Sequence, residues 1–173
     1  MASPAFAPIP GYIARPEPGD AVEYADGELL PMPNNDSVHD AIKARLATSI
    51  ARQVAEPAIV GNEMAFDVTP VHVRHPDVAV LLRPPATAPG RKVQGAPDLA
   101  IEVVSDSDNA KVLDERVELY LDNGAAAVWV VWPHSRRVDI HQRDQPTRHL
   151  RSGAISGEAP IPEFRLELAA IFD

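Results

Sequence analysis

Two carboxylates stand where apolar strands are expected. Asp77 opens the run HPDVAVLL, and Glu102 lies inside PDLAIEVVS. An ionised carboxylate in an oily strand is costly unless a cation or hydrogen-bond donors meet it. If the two strands are neighbours, Asp77 and Glu102 can both ligate Mg2+ or Mn2+, hard cations that prefer oxygen and often keep several waters. Such a metal activates water and offsets charge developing on a phosphodiester. Strand side chains alternate faces. Asp98, Ala100 and Glu102 therefore share one face, with Leu99, Ile101 and Val103 on the other. The small Ala100 leaves space beside Glu102. Asp98 reads as a capping residue after Pro97 rather than a ligand. A buried salt bridge satisfies Glu102 as well as a metal does, so spacing alone leaves both open.

The remaining sequence must position these acids. At 173 residues the chain is long enough for one domain with a real core. Apolar residues at 45% and charged residues at 24% place it among soluble globular proteins. The absence of cysteine excludes disulfides, thiolate metal sites and a Cys nucleophile, so any metal is held by oxygen or imidazole. No apolar run approaches the ~20 residues that span a bilayer. The start MASPAFAPIPGYIARPEP lacks the basic and apolar regions of a signal peptide, and a cytoplasmic protein is expected. A net charge of −9 argues against a surface that simply coats nucleic acid. It leaves room for a nuclease, whose acids cluster around metal while a local basic strip faces the backbone. Prolines concentrate in residues 4–18 and 84–89. Residues 1–20 read as a flexible proline-rich arm and 21–173 as a single domain.

Along that domain, VEYADGELL predicts a hairpin around Asp26-Gly27. Asp36 or Ser37 caps a helix predicted over 38–55, ended by Pro57, with Lys43, Arg45 and Arg52 off its apolar face. Short strands follow at 59–60, 64–68 and 71–73. Residues 77–82 and 99–104 are strands apolar on both faces, as buried strands are. A helix over 110–123, closed by Gly124, leads to a buried strand over 126–132. Strand, helix and strand with short connections predict a parallel pair. A strand over 138–142 and a short apolar helix or turn docking on the core complete the pattern. Trp129 and Trp132 fall on opposite faces of one strand, one of them in the core.

The segments HPDVAVLL, GAPDLAIEVVSDSD, RVELYLDNGAAAVWVVWP and IPEFRLELAAIFD, with DGELLPMPNNDSVHDAI before them, resemble the Uma2 family. That family is restriction-endonuclease-like, within the PD-(D/E)xK nuclease superfamily, and the resemblance runs from Tyr24 to Asp173. It implies an α/β restriction-endonuclease-like core, a central mixed sheet flanked by helices with the active site at its edge. It further implies a Mg2+- or Mn2+-dependent endonuclease acting on DNA, with a homodimer as a plausible assembly. Carried over residue by residue, Asp77 and Glu102 become the metal-binding acids. Glu28 supports the metal shell, and His39 is the histidine early in the first helix; on its own it reads as a surface or helix-start histidine.

The departures lie in the cations. The superfamily lysine falls at Val104, and the family's helical Asp and Lys fall at Val112 and Arg116. Arg116 keeps the charge and can face a scissile phosphate but stays protonated, so it cannot act as a base. Lys111, one turn earlier, is the alternative catalytic cation, although its plain reading is an exposed helix lysine. These departures also motivate a different reading, a catalytically inactive nuclease fold serving as a binding or assembly module. A hydrolase of another phosphoester is a third. Basic candidates for DNA contact are Arg91-Lys92, Arg136-Arg137, and Lys43 with Arg45.

Overall fold

A computed structural model describes residues 22–26, 28–31, 36–85, 93–106 and 108–173. The proposed arm over 1–20 and the Arg91-Lys92 pair lie outside these residues. The chain begins with the expected hairpin, β1 (Val22–Ala25) paired antiparallel with β2 (Glu28–Pro31). Its turn holds Asp26 at φ 47°, a left-handed conformation that Asp tolerates better than most residues. Helix α1 (Ser37–Ala51) follows, with the Asp36 side chain accepting from the His39 backbone N–H. Then come β3 (Ile59–Asn62), β4 (Phe66–Thr69), β5 (His72–Arg74), β6 (Val78–Leu81), β7 (Val93–Gln94) and β8 (Leu99–Val103). Helix α2 (Ala110–Asp122) leads to β9 (Ala127–Trp132), β10 (Arg137–His141), β11 (Arg148–Leu150), β12 (Ala154–Ser156), β13 (Arg165–Glu167) and the terminal α3 (Leu168–Phe172).

The central sheet is mixed, in the order β11-β10-β9-β8-β6-β3. A second sheet, β2-β1-β5-β4-β7, carries the hairpin, and β12 pairs only with β13. At the centre, β8 runs parallel to β9 and antiparallel to β6. The parallel pair is the one predicted from strand, helix and strand. Leu99, Ile101 and Val103 pack on one face with Ile42, Leu46 and Ile50 of α1 and with Trp129. Ala100 faces the other way, into a cluster with Leu113, Val117 and Tyr120 of α2. Burial on both faces explains why these strands are apolar throughout rather than alternating.

Trp129 is the tryptophan of the core, fully buried with its ring 5.8 Å from that of Phe164. Trp132 is half-buried, covered by the Arg137 guanidinium 4.7 Å above its ring. The terminal helix docks as expected, through buried Leu168 and Ile171.

Helix α1 corrects the sequence reading: it stops at Ala51, well before Pro57. The Gln53 side chain captures the chain there. Its amide donates to the Arg165 carbonyl (3.0 Å) while its oxygen accepts from the Arg165 N–H (3.0 Å), tying the turn to β13. Strands β7, β11, β12 and β13 have no counterpart in the sequence reading because two or three residues carry no periodicity. Among the described residues no helix is long and apolar enough to cross a membrane.

Truncating Trp129 empties the largest fully buried site of the core. Trp129→Ala should cost about 3–5 kcal/mol in urea unfolding. Val112→Ala, at an exposed position on α2, should stay within about 0.5 kcal/mol. Equal losses at the two positions would contradict this placement of the core.

Candidate active site

The register of β6 on β8 pairs Val78 with Ile101 and Ala79 with Ala100. One step further along the same antiparallel register, Asp77 faces Glu102. The two acids singled out from the sequence are therefore cross-strand neighbours. The Asp77 Oδ2 accepts from the Val103 N–H (2.7 Å) and lies 3.2 Å from His39 Nε2. At the opposite end of the strand pair, Asp98 accepts from the Leu82 N–H (2.7 Å), the capping role expected of it.

Glu102 is met by helix α2. Asn109 caps that helix by accepting from the Lys111 N–H (2.9 Å). Leu113, Val117 and Tyr120, at spacings of four and three, press onto the sheet. Arg116 and Tyr120, one turn apart, project toward the acid. The Tyr120 hydroxyl donates to Glu102 Oε1 (3.0 Å), and Arg116 Nη1 donates to Oε2 (3.0 Å). The second arm of the Arg116 fork, Nη2, donates to Oε2 of Glu23 on β1 (2.9 Å). Glu23 also accepts from the His75 N–H (3.1 Å), with Arg74 Nη1 3.6 Å from its Oε2. Both Glu102 oxygens and both Glu23 oxygens thus have protein partners.

Burial dominates the electrostatics. It pushes the Glu102 carboxyl up to about 8, a direction the nearby Asp77 and Glu23 charges reinforce and Arg116 and Tyr120 oppose. Tyr120 is raised well above an ordinary phenol by burial and by the Glu102 charge. The adjacent Glu102 charge holds the Arg116 guanidinium firmly protonated against its own desolvation. For His39, burial works downward, but the hydrogen bond and charge of Asp77 raise it overall. Lys43 behaves alike: burial is outweighed by Glu63 at 2.6 Å and Asp40 at 3.1 Å.

A recess of about 30 Å³, roughly one water in size, opens between Glu102, Val104, Val112 and Arg116. Val104 also lines a larger cavity of about 210 Å³, with His39, Ser105, Asp36 and His134 on its walls. Space for about one water therefore opens beside Glu102, and the larger cavity lies beyond Val104, next to His39.

Asp77, Glu102 and Arg116 come together, whereas Lys111, the alternative cation, and Glu28, carried over from the resemblance, lie apart. The Lys111 side chain is 84% exposed and pairs with Glu115 at 3.4 Å. Glu28 is exposed on β2, the edge of its sheet. The acid that reaches Arg116 is Glu23, because β1 lies inside the sheet between β2 and β5. Its signal was an acid inside the short strand VEYA, the same kind of signal that Glu102 gave. His39 stands at the helix start, as one reading had it, but not at the surface: it is buried, because His39, Ile42, Lys43, Leu46 and Ile50 form the inward face of α1. Lys43 is buried with it, not solvated.

Among the described residues, no three Asp, Glu, His or Cys side chains converge as a ready cage for a metal ion. The donor chemistry nevertheless fits Mg2+ or Mn2+. These ions are commonly held by one or two carboxylates and keep waters in the remaining positions. Asp77 and Glu102 supply two neighbouring carboxylates for such an ion.

The hydrogen bonds of this cluster have measurable weights. Tyr120→Phe strands one Glu102 oxygen and should cost about 1.5–3 kcal/mol of unfolding free energy. Lys111→Ala should change stability by less than about 0.5 kcal/mol, because its ion pair is solvent-exposed. A neutral Tyr120→Phe in denaturant titrations would dissolve the network described above.

The Uma2 family model, described as "putative restriction endonuclease", matches residues 9–169. Among solved structures, the chain is similar to "a putative nuclease belonging to DUF820" from Anabaena variabilis ATCC 29413. The TM-score is 0.81 at 20% identity, covering 95% of this chain and 97% of that one, a likeness of fold. None of the curated proteins matches. The acids, strands and helices through which the sequence resembled a family are thus those of the matched region, and the chain belongs to the Uma2 family.

Proposed function

We propose that this protein is a nuclease that hydrolyses DNA phosphodiester bonds with Mg2+ or Mn2+ held by Asp77 and Glu102. The observation that supports this reading most is the cross-strand placement of those two acids, with a small recess opening beside Glu102. A divalent cation there would supply a more acidic bound water and a Lewis acid for the phosphate oxygens. The chain's own groups do the rest. His39 and the Val103 N–H fix the Asp77 carboxylate, and Tyr120 fixes that of Glu102. Arg116 offers a planar fork of the kind that binds phosphate in bidentate fashion, and its permanent charge suits it to stabilise the transition state rather than to accept a proton. Lys111 and Glu28 contact neither acid and take no part in this reading.

One observation favours a second reading, the catalytically silent binding module. Tyr120 and Arg116 occupy both oxygens of Glu102 in a largely buried setting.

Plasmid DNA incubated with the purified protein separates the two. Cleavage should require Mg2+ or Mn2+, stop with a chelator, and fall at least about 10²-fold in Glu102→Gln and Asp77→Asn, a loss on the scale of removing one electrostatic catalytic group. A folded wild-type protein that cleaves neither plasmid nor branched DNA would leave the silent module as the better account.

A further inference from the structure

Arg116 does more than neutralise one acid. Its side chain is 21% exposed, whereas those of Glu102 and Glu23 are each 6% exposed. The guanidinium lies on the solvent side and covers the carboxylates, at the wall of the small recess beside Val104 and Val112. Any cation approaching Glu102 from that recess meets Arg116 on one of the two carboxylate oxygens. The other oxygen is held by a neutral hydroxyl, a weaker competitor than a charged fork.

The fork also has two anchors. Nη2 is bound to Glu23, itself steadied by the His75 N–H and by Arg74. Glu23 and Glu102 belong to different sheets, so release from one leaves the other hold intact. Arginine's long side chain can make this change through its own torsions, with α2 kept in place by Leu113, Val117 and Tyr120.

We propose that Arg116 is a built-in counter-ion that competes with the divalent metal for Glu102, and that Glu23 retains the guanidinium when Glu102 is surrendered. This rests on the metal-binding reading of Glu102 but not on DNA cleavage. Arg116 thereby sets the metal affinity, and the exchanged guanidinium stands next to the acid with one arm freed for a phosphate oxygen. Glu23 is a positioning residue acting through Arg116.

Mn2+ titration calorimetry on the full chain tests this, with thermal unfolding in chelator and in Mn2+ as a parallel measurement. Arg116→Met should bind Mn2+ about 10- to 100-fold more tightly than wild type, the scale on which groups bonded to metal ligands alter affinity. Arg116→Lys keeps the charge and loses the fork, so it should also bind more tightly than wild type. Equal affinity in Arg116→Lys and wild type would reduce Arg116 to a through-space charge and overturn the proposal. Glu23→Gln should weaken Mn2+ binding in the wild-type background and have little effect in Arg116→Met. An undiminished effect there would make Glu23 a direct ligand and overturn its positioning role. If Arg116→Met is unfolded in chelator, Mn2+ should restore its transition, and failure to do so counts against the proposal, as does Mn2+ binding by neither protein. Tighter binding without DNA cleavage would uphold this inference while sinking the nuclease reading. Cleavage with unchanged affinities would do the reverse.

Discussion

The fork of Arg116 between Glu102 and Glu23 is the interaction on which this architecture turns. Glu102 belongs to the central sheet, Glu23 to the second sheet and Arg116 to the helix between β8 and β9. One guanidinium therefore joins three separately formed elements at a single charged point. Buried ionic networks of this kind contribute little net stability compared with apolar packing, because desolvation consumes most of the Coulombic gain. The acids are expensive to keep, and packing alone gives no reason for them. That cost is what makes the strand end a functional candidate rather than another piece of core.

Around that point the packing is asymmetric. On one face of the central sheet, α1 and the terminal helix bury a continuous apolar cluster around Trp129. On the other, α2 buries a smaller cluster and brings two polar side chains, Arg116 and Tyr120, to its edge. Helix α1 then returns to the same strand ends with His39, so side chains of both helices reach the acid pair. A strand buried on both sides gives the acids low-dielectric surroundings, in which each of these contacts acts more strongly than it would in water.

Much of this was legible in the chain itself. The doubly apolar strands and the alternation that sets Glu102 apart from Ile101 rest on local patterns that the folded protein retains. What escaped was set by long-range packing. Glu28 and Glu23 sit in the two strands of one hairpin, and only the neighbouring β5 decides which strand is interior. His39 and Lys43 look like ordinary helix-surface residues until Asp77 and Glu63 are brought against them from distant segments. The early end of α1 depends on a Gln53 side chain meeting β13, more than a hundred residues away. The short strands β7, β11, β12 and β13 leave no periodic trace.

The antiparallel register of β6 on β8 carries a lasting consequence for how this site can change. Because side chains alternate, a single-residue insertion or deletion in either strand would turn an acid from the α2 side to the Trp129 side and an apolar residue outward. The acids are therefore locked to strand length as well as to residue identity. The cation has no such constraint, since a helix offers several positions over the same patch and a change there leaves the strand pairing untouched. A point substitution on α2 can thus change the cation without disturbing the acids, whereas an indel within β6 or β8 would separate them.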